Sequence, residues 1–272
     1  MIEKYYIFAT YNKVFVIMKV SILQHNIFSG ALSSTLSNLE NQLLQHPGAD
    51  LYVLAETFAT GFLAEGSSAL AQEQGPLIFS WMQQQAARHD AAIAGSVAVK
   101  DDEGRLRNRM YFVRPDGTYD YYDKRHLFLY AGETKDYVPG DRRVVVEWCG
   151  VRFLLQVCYD LRFPVFSRSR GDYDAIIYVA NWPEQRQDAW QTLLKARAIE
   201  NQCYVIGVNR VGSDGTCKYI GGSVVIDAYG HTIAQCTDGE EEIAIAELDM
   251  EQLQCFRQKF PVLADADEFS VL

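Results

Sequence analysis

The 272-residue sequence lacks the patterns that mark several large classes of protein. It has no internal repeat, no low-complexity tract and no apolar run long enough to span a bilayer, for which a helix needs about 20 mostly apolar residues. Basic residues are few relative to acidic ones, 25 against 35, and the net charge is −10. Nucleic acids and anionic membranes are bound by basic patches, so this charge argues against both as partners.

Metal, redox and phosphate motifs are also missing. The six cysteines contain no Cys-x-x-Cys pair, which argues against a zinc ribbon or a thioredoxin-type site, and they are too few for a disulfide scaffold. The five histidines show no His-x-x-x-His spacing, so no metal site is predicted. Gly221-Gly222 is not followed by Lys-Ser/Thr and is therefore not a phosphate loop. A reducing cytoplasm is the simplest compartment for such a chain.

What the sequence does contain is enough apolar surface for a sizeable core, since 49% of its residues are hydrophobic and 22% are charged. Strand-like and helix-like patterns alternate to the end, which predicts a single domain over residues 18–272. Residues 1–17 are apolar but are interrupted by Lys4, Asn12 and Lys13. They are predicted to be an N-terminal extension outside the domain.

Many short apolar runs and a few helical patterns predict an α/β fold. Strands are predicted at 18–26, 51–55, 91–99, 143–148, 151–157, 174–180, 203–209, 221–227, 231–236 and 242–248, with a hairpin at 107–122. Helices are predicted around 36–44 and at 76–89, 190–201 and 250–260, with Pro76 in the first turn of the second. Two sheets packed face to face, with helices outside, accommodate this strand count better than one open sheet.

Two charged residues directly follow predicted strands. Glu56 follows the apolar run 51–55, where partial desolvation would raise its pKa and suit it to general-base catalysis. A solvated strand-end glutamate is the alternative. Lys124 follows the second strand of the hairpin, and its ammonium could stabilise an oxyanion. The alternative for Lys124 is a hairpin-end charge in water.

The most informative stretch is LLQVCYDLRFPVF at 154–166, because a thiol follows a buried strand at once. Asp160 and Pro164 suit the approach to a helix after Cys158. A thiol at such a turn lies near backbone N–H groups that can receive an oxyanion, which predicts a nucleophile. The alternative is a small buried hydrophobic residue, the usual state of a free cysteine.

Together, Glu56, Lys124 and Cys158 resemble, in order and spacing, the Glu-Lys-Cys triad of the nitrilase superfamily of carbon–nitrogen hydrolases. The resemblance covers roughly residues 18–260, and its details look most like the bacterial omega-amidase branch. One departure is Ala55, where the family often has proline before the glutamate. Further matching blocks are ETFATGF (56–62), DKRHLF (123–128), CYDLRFP (158–164), YVANWP (178–183) and ARAIENQCYVIGVNRVG (196–212).

The resemblance implies a four-layer α-β-β-α sandwich that pairs into a homodimer. It also implies hydrolysis of the terminal amide of small 2-oxo-dicarboxylic monoamides through a cysteine thioester, without metal or organic cofactor. Cys158 would be the nucleophile, Glu56 the general base, and Lys124 would favour the thiolate and hold the oxyanion with the backbone N–H of Tyr159.

Three further residues are substrate-contact candidates by the same resemblance. Glu133 occupies the place of a second glutamate that positions substrate and lysine, although an exposed loop acid is the alternative. Asn181 and Trp182 follow a buried strand, as pocket walls do in the family. The alternative interpretation is that Asn181 belongs to a turn and Trp182 is an aromatic residue of the core.

Arg162 is the candidate clamp for a substrate carboxylate, because guanidinium binds carboxylates in bidentate fashion. A structural ion pair of Arg162, for instance with Asp160 or Glu200, is the alternative. Among functions, an N-carbamoyl or aliphatic amide hydrolase of the same fold is the second hypothesis. A non-catalytic binding protein is the hypothesis from a different class, and the intact triad argues against it.

Overall fold

Fourteen strands and five α-helices are formed within residues 17–28, 30–61 and 67–270, which the computed structural model describes. The strands are β1 (Ile17–Gln24), β2 (Leu51–Val53), β3 (Ala92–Lys100), β4 (Leu106–Val113), β5 (Tyr119–Asp123), β6 (Val145–Trp148), β7 (Val151–Val157), β8 (Ala175–Ala180), β9 (Tyr204–Asn209), β10 (Val211–Ser213), β11 (Lys218–Ile220), β12 (Val224–Ile226), β13 (Thr232–Gln235) and β14 (Glu242–Asp249). The helices are α1 (Leu32–Gln45), α2 (Ser67–His89), α3 (Pro164–Ser167), α4 (Gln187–Asn201) and α5 (Met250–Lys259).

Two six-stranded sheets share one plan. Their orders are β14-β1-β2-β3-β4-β5 and β13-β12-β9-β8-β7-β6, and β10 and β11 form a separate hairpin. Each large sheet has three parallel strands at its centre, β1-β2-β3 in the first and β7-β8-β9 in the second, flanked by antiparallel strands. Parallel strands align their carboxyl ends, so residues that follow β2 and β7 emerge at aligned sheet edges.

The sheets pack face to face through apolar side chains. Phe112 of β4 and Phe153 of β7 lie with ring centroids 6.0 Å apart, and both side chains are fully buried. The hydroxyl of Tyr204 in β9 donates to the backbone oxygen of Asp249 at the end of β14, at 3.1 Å. The core between the sheets therefore draws on strands from both halves of the chain.

Helices cover the outer faces. Tyr52 of β2 donates its hydroxyl to the backbone oxygen of His46 after α1, and its ring lies against His89 at the end of α2. On the other side, α4 lies so close to β9 that a Cβ at Gly207 would come within 2.5 Å of Leu194. The predicted arrangement of helices outside two face-to-face sheets is confirmed.

One predicted helix start was wrong. Helix α2 begins at Ser67 rather than at Pro76, which lies inside it. Proline removes one helical hydrogen bond, but Gly75 allows the helix to lie directly on β3, where a Cβ would approach Val99 to 3.0 Å. Tertiary packing thus continues the helix through a residue that locally favours a start.

The predicted domain start at Met18 differs by one residue from the start of β1. Ile17 pairs with Asp249 in the first sheet. The rest of the predicted extension, residues 1–16, lies outside the described residues. None of the helices in the described part of the chain has the length and apolar composition needed to cross a bilayer.

Truncation of a leucine between the sheets is expected to destabilise the protein strongly. Leu155 of β7 is fully buried in the shared core, so Leu155→Ala should lower the free energy of unfolding by about 2–5 kcal/mol through lost transfer energy and a cavity. Denaturant titration followed by circular dichroism measures the change. Leu77→Ala in α2 is the matched control, because Leu77 is 59% exposed and the change should stay within about 0.5 kcal/mol. Equal effects of the two substitutions would contradict this account of the core.

Candidate active site

The three predicted reactive side chains meet in one cavity. Glu56 follows β2, Lys124 follows β5, and Cys158 follows β7 directly. The first two elements belong to one sheet and the third to the other, so the face-to-face packing of the sheets brings the side chains together. The cavity has a volume of about 250 Å³, near the lower end for small-molecule sites. It is lined by Glu56, Lys124, Phe128, Ala131, Cys158, Asn181, Pro183, Arg186, Asp214, Thr216, Cys217 and Tyr219.

Glu56 is buried and fully engaged by donors. Its Oε1 accepts from Lys124 Nζ at 2.9 Å and from Asn108 Nδ2 at 2.8 Å, and its Oε2 accepts from the backbone N–H of Asn181 at 2.8 Å. Only 2% of the residue is exposed. The alternative of a solvated strand-end glutamate is therefore wrong.

Lys124 is equally buried and lies between two carboxylates. Besides its bond to Glu56, Nζ donates to both oxygens of Glu133, at 3.1 and 3.0 Å. Glu133 is 2% exposed and also accepts from the backbone N–H of Phe128 at 2.6 Å. The alternatives of a hairpin-end charge and an exposed loop acid are excluded for these two residues.

The electrostatics of this cluster favour a charged lysine beside a neutral thiol. Burial alone would lower the pKa of Lys124, but the charges of Glu133 and Glu56 raise it well above its usual value. Burial and the Glu56 carboxylate raise the pKa of the Cys158 thiol well above its usual range, against the opposing effect of Lys124. Lys124 lowers the pKa of Cys158, as expected of a residue that favours the thiolate, but burial and the charge of Glu56 outweigh this effect.

The turn after β7 holds Cys158 in an uncommon backbone conformation. Its φ is +47°, a left-handed value that costs a non-glycine residue on the order of 1 kcal/mol. Residues Cys158–Arg162 form a short 3₁₀ helix, and the first N–H groups of such a turn, including that of Tyr159, have no intrahelical acceptor. The turn therefore presents the sulfur next to free backbone donors.

Asp160 holds this turn in place, but it does not cap α3 as predicted, because the N-cap of α3 is Phe163 and no side chain caps that helix. Its Oδ2 accepts from the backbone N–H of Val157 and from the hydroxyl of Tyr122, both at 2.9 Å. Its Oδ1 accepts from the backbone N–H of His126 at 3.0 Å, and the ring Nδ1 of that histidine lies 2.7 Å away. One buried carboxylate thus ties the Cys158 turn to the segment after Lys124.

Asn181 connects the cavity wall to the strand end that carries Glu56. Its backbone N–H binds Glu56, and its Nδ2 donates to the hydroxyl of Thr57 at 2.8 Å. Its Oδ1 is buried and has no hydrogen-bond partner among the described residues. A polar atom of a cavity-lining side chain is therefore left unsatisfied.

Four predicted contact residues are not among those that line the cavity: Glu133, Tyr159, Arg162 and Trp182. Trp182 is buried behind the wall, where its backbone N–H donates to Asn209 and its ring packs on Trp190. Arg162 is exposed, and its guanidinium lies 5.0 Å from the centre of the Trp182 ring. No ion pair joins Arg162 to Asp160 or Glu200 in the described part of the chain, so the alternative of such an ion pair is wrong. The role of Arg162 as a carboxylate clamp stays a prediction.

Sequence reasoning missed three residues of the site. Asn108 donates to Glu56 and, at 3.3 Å, to Glu133, and its only sequence signal is a polar residue in a largely apolar strand. Asp214 braces the wall at β10–β11 by accepting from the hydroxyl of Tyr219 at 2.6 Å and from the segment 216–217. Arg186 lines the cavity and had no motif to mark it.

The described residues contain no group of three histidine, cysteine, aspartate or glutamate side chains arranged to hold a metal ion.

Comparisons with known proteins agree on one family. The carbon–nitrogen hydrolase family model matches residues 19–258. Omega-amidase YafV of Escherichia coli strain K12 is 47% identical over 254 residues, which are 93% of this chain and 98% of that protein. The 2-oxoglutaramate amidase of Bacillus subtilis strain 168 is 35% identical over 251 residues, which are 90% of this chain and 96% of that protein.

A solved structure shows the same fold. XC1258 from Xanthomonas campestris, a CN-hydrolase superfamily protein with an arsenic adduct in its active site, superposes with a TM-score of 0.90 at 38% identity. The match covers 94% of this chain and 99% of that one.

Removal of the Glu56 charge is expected to lower the pKa of Cys158. Glu56→Gln keeps the size of the side chain but removes the negative charge that raises the thiol pKa, while Lys124 remains. A pH titration of thiolate absorbance, with Cys158→Ala as baseline, measures the pKa. Glu103→Gln, at an exposed acid, is the control and should leave the titration as in the wild type. A Cys158 pKa that is equal or higher in Glu56→Gln would contradict the charge balance described above.

Proposed function

The chain belongs to the carbon–nitrogen hydrolase family, and we propose that it is an omega-amidase. In this proposal it hydrolyses the terminal amide of small 2-oxo-dicarboxylic monoamides, such as 2-oxoglutaramate and 2-oxosuccinamate, to the acid and ammonia. The observation that carries the proposal is that Glu56, Lys124 and Cys158 line one cavity of small-molecule size. The names of the relatives at 47% and 35% identity support the choice of substrate.

The first step joins deprotonation to attack. Because the Cys158 pKa is raised, the resting sulfur carries its proton, and a base must remove it. Glu56 is the adjacent carboxylate and takes that proton as the sulfur bonds to the amide carbon. The carbonyl π electrons move to the oxygen, which gives a tetrahedral oxyanion.

The oxyanion is stabilised by a charge and a dipole. Lys124 has three N–H donors, of which one serves Glu56 and one can be shared by the two oxygens of Glu133, so the third is available to the oxyanion. The free backbone N–H of Tyr159 supplies a second donor at the start of its turn. Glu133 acts in this scheme as the residue that positions Lys124.

Collapse of the intermediate breaks the carbon–nitrogen bond. The oxyanion electrons re-form the carbonyl, Glu56 returns the proton to the departing nitrogen, and ammonia leaves a thioester on Cys158. Glu56 then takes a proton from water, which attacks the thioester, and the acid is released as the thiol is regenerated. All atoms come from the substrate, one water and the three side chains.

Asn181 is proposed as a contact for the substrate amide. Its Oδ1 is a buried acceptor without a partner in the described residues, and a primary amide offers N–H donors that would satisfy it. An acid product has no such donor, so this contact favours the substrate over the product.

We further propose that the protein is a cytoplasmic homodimer. Pairing is what the family resemblance implies, and the catalytic side chains of the mechanism all belong to one chain. All six cysteines are unpaired in the structure, which suits a reducing compartment.

Loss of the nucleophile is expected to abolish ammonia release. Cys158→Ala and Cys158→Ser should each lower kcat/KM for 2-oxoglutaramate by roughly 10⁴-fold or more, while circular dichroism shows an unchanged fold. Cys255→Ala, at an exposed cysteine of α5, is the matched control and should retain wild-type turnover. The assay panel also contains 2-oxosuccinamate, glutamine, a carbamoyl amino acid and a simple nitrile. Preference for any of the last three, or turnover by Cys158→Ala, would contradict the proposed function.

The homodimer is tested by sedimentation velocity over a range of protein concentrations. We expect one species at twice the mass of a single chain, because the helices outside the sheets would pair across two copies. A single-chain mass at every concentration would show that this chain does not pair.

A further inference from the structure

Arg186 lines the same cavity as Cys158, and neither the comparisons nor the family triad assigns it a role. We propose that Arg186 binds the carboxylate of the substrate and so selects carboxylated amides over uncharged ones. This inference rests on the proposed function and deepens it, since it names the side chain that recognises the end of the substrate opposite the amide.

No carboxylate among the described residues that line the cavity forms an ion pair with Arg186. Glu56 and Glu133 both bind Lys124, and Asp214 accepts hydrogen bonds within the β10–β11 wall. Arg186 forms no ion pair with any acidic side chain among the described residues. In a chain with 35 acidic residues and a net charge of −10, a half-buried arginine without an acidic partner is a site for an external anion.

Arg186 has one contact at its backbone and one at its guanidinium. Its backbone oxygen accepts from Trp182 Nε1 at 2.7 Å, and its guanidinium carbon lies 5.3 Å from the centre of the Phe128 ring. The backbone of Phe128 in turn binds Glu133, which holds Lys124. One aromatic residue therefore lies between the guanidinium and the segment that binds the catalytic cluster.

The chemistry of guanidinium selects a carboxylate. Its planar fork of N–H donors matches the two oxygens of a carboxylate in a bidentate pair, and it stays charged at any physiological pH. Arg162, the arginine favoured by sequence, lies outside the cavity on Trp182. Arg186 also directly precedes α4, so the positive end of that helix dipole adds to the same local preference for an anion.

The cavity volume agrees with a small dicarboxylic monoamide. At about 250 Å³ it holds a molecule of few heavy atoms, with its amide at Cys158 and its other end near Arg186. An uncharged amide of the same length would fill the space but would leave the guanidinium without a partner.

The first experiment compares 2-oxoglutaramate with pentanamide, a five-carbon amide that lacks the carboxylate. Arg186→Met should lower kcat/KM for 2-oxoglutaramate on the order of 100-fold, mainly through KM. The selectivity, which is kcat/KM for 2-oxoglutaramate divided by kcat/KM for pentanamide, should fall by a similar factor. Arg186→Lys keeps the charge but loses the planar pair of guanidinium donors, so it should retain part of the wild-type selectivity. Arg170→Met is the matched control, since Arg170 lies over Phe269 outside the cavity, and it should keep the wild-type ratio.

The outcomes distinguish Arg186 from Arg162 as the residue that binds the substrate carboxylate. An equal loss on both amides would show a structural role and overturn the proposal. A loss of selectivity in Arg162→Met with a wild-type ratio in Arg186→Met would overturn it in favour of Arg162.

A binding measurement separates this inference from the proposed function. Titration calorimetry with the acid product 2-oxoglutarate, in a Cys158→Ala background, should show Kd raised on the order of 100-fold by Arg186→Met. Binding that depends on Arg186, together with no turnover of 2-oxoglutaramate by the wild type, would overturn the omega-amidase function and retain the anion site. Turnover of 2-oxoglutaramate with Kd and selectivity unaffected by Arg186→Met would retain the function and overturn the anion site.

Discussion

The buried contact of Lys124 with the carboxylates of Glu56 and Glu133 is the constraint on which the rest of the site depends. Burying an unpaired charge costs several kcal/mol, so none of the three groups is stable there without the others. Asn108 and the backbone N–H groups of Asn181 and Phe128 supply the remaining donors that two carboxylates need. Segments from both sheets must therefore close around one ammonium for the cavity to form.

This cluster also affects the protonation of Cys158, the proposed nucleophile. Burial and the Glu56 carboxylate keep the pKa of Cys158 high against the opposing charge of Lys124, so the sulfur is a thiol until a proton acceptor removes its proton. In the proposed reaction that acceptor is Glu56, which is already the strongest negative neighbour of the sulfur. The Asp160 carboxylate holds the strained turn so that the sulfur and the free N–H groups after it face the same space.

Much of this architecture follows from local sequence. The predicted strands correspond to β2, β7 and β8 because unbroken apolar runs bounded by polar residues are a local signal. Glu56, Lys124 and Cys158 could be found because each follows a strand and their order matches a known family. Asn108 could not be found, since a polar residue inside a strand gives no indication of which buried group it will meet. Helix α2 passes through Pro76 because contact with β3, a distant segment, outweighs a local preference.

By itself the sequence determined most of the strands and helices, the layered α/β class and the three candidate reactive side chains, because these depend on periodicity and on neighbouring residues. The tertiary structure alone decided which arginine lines the cavity and in which direction the thiol pKa moves. Arg162 and Arg186 look alike in sequence, but one packs outward on Trp182 and the other lies beside Phe128 in the cavity. The physical reason is that both the place of an arginine side chain and the pKa of a thiol depend on residues far apart in the chain. Only folding brings those residues to fixed distances from one another.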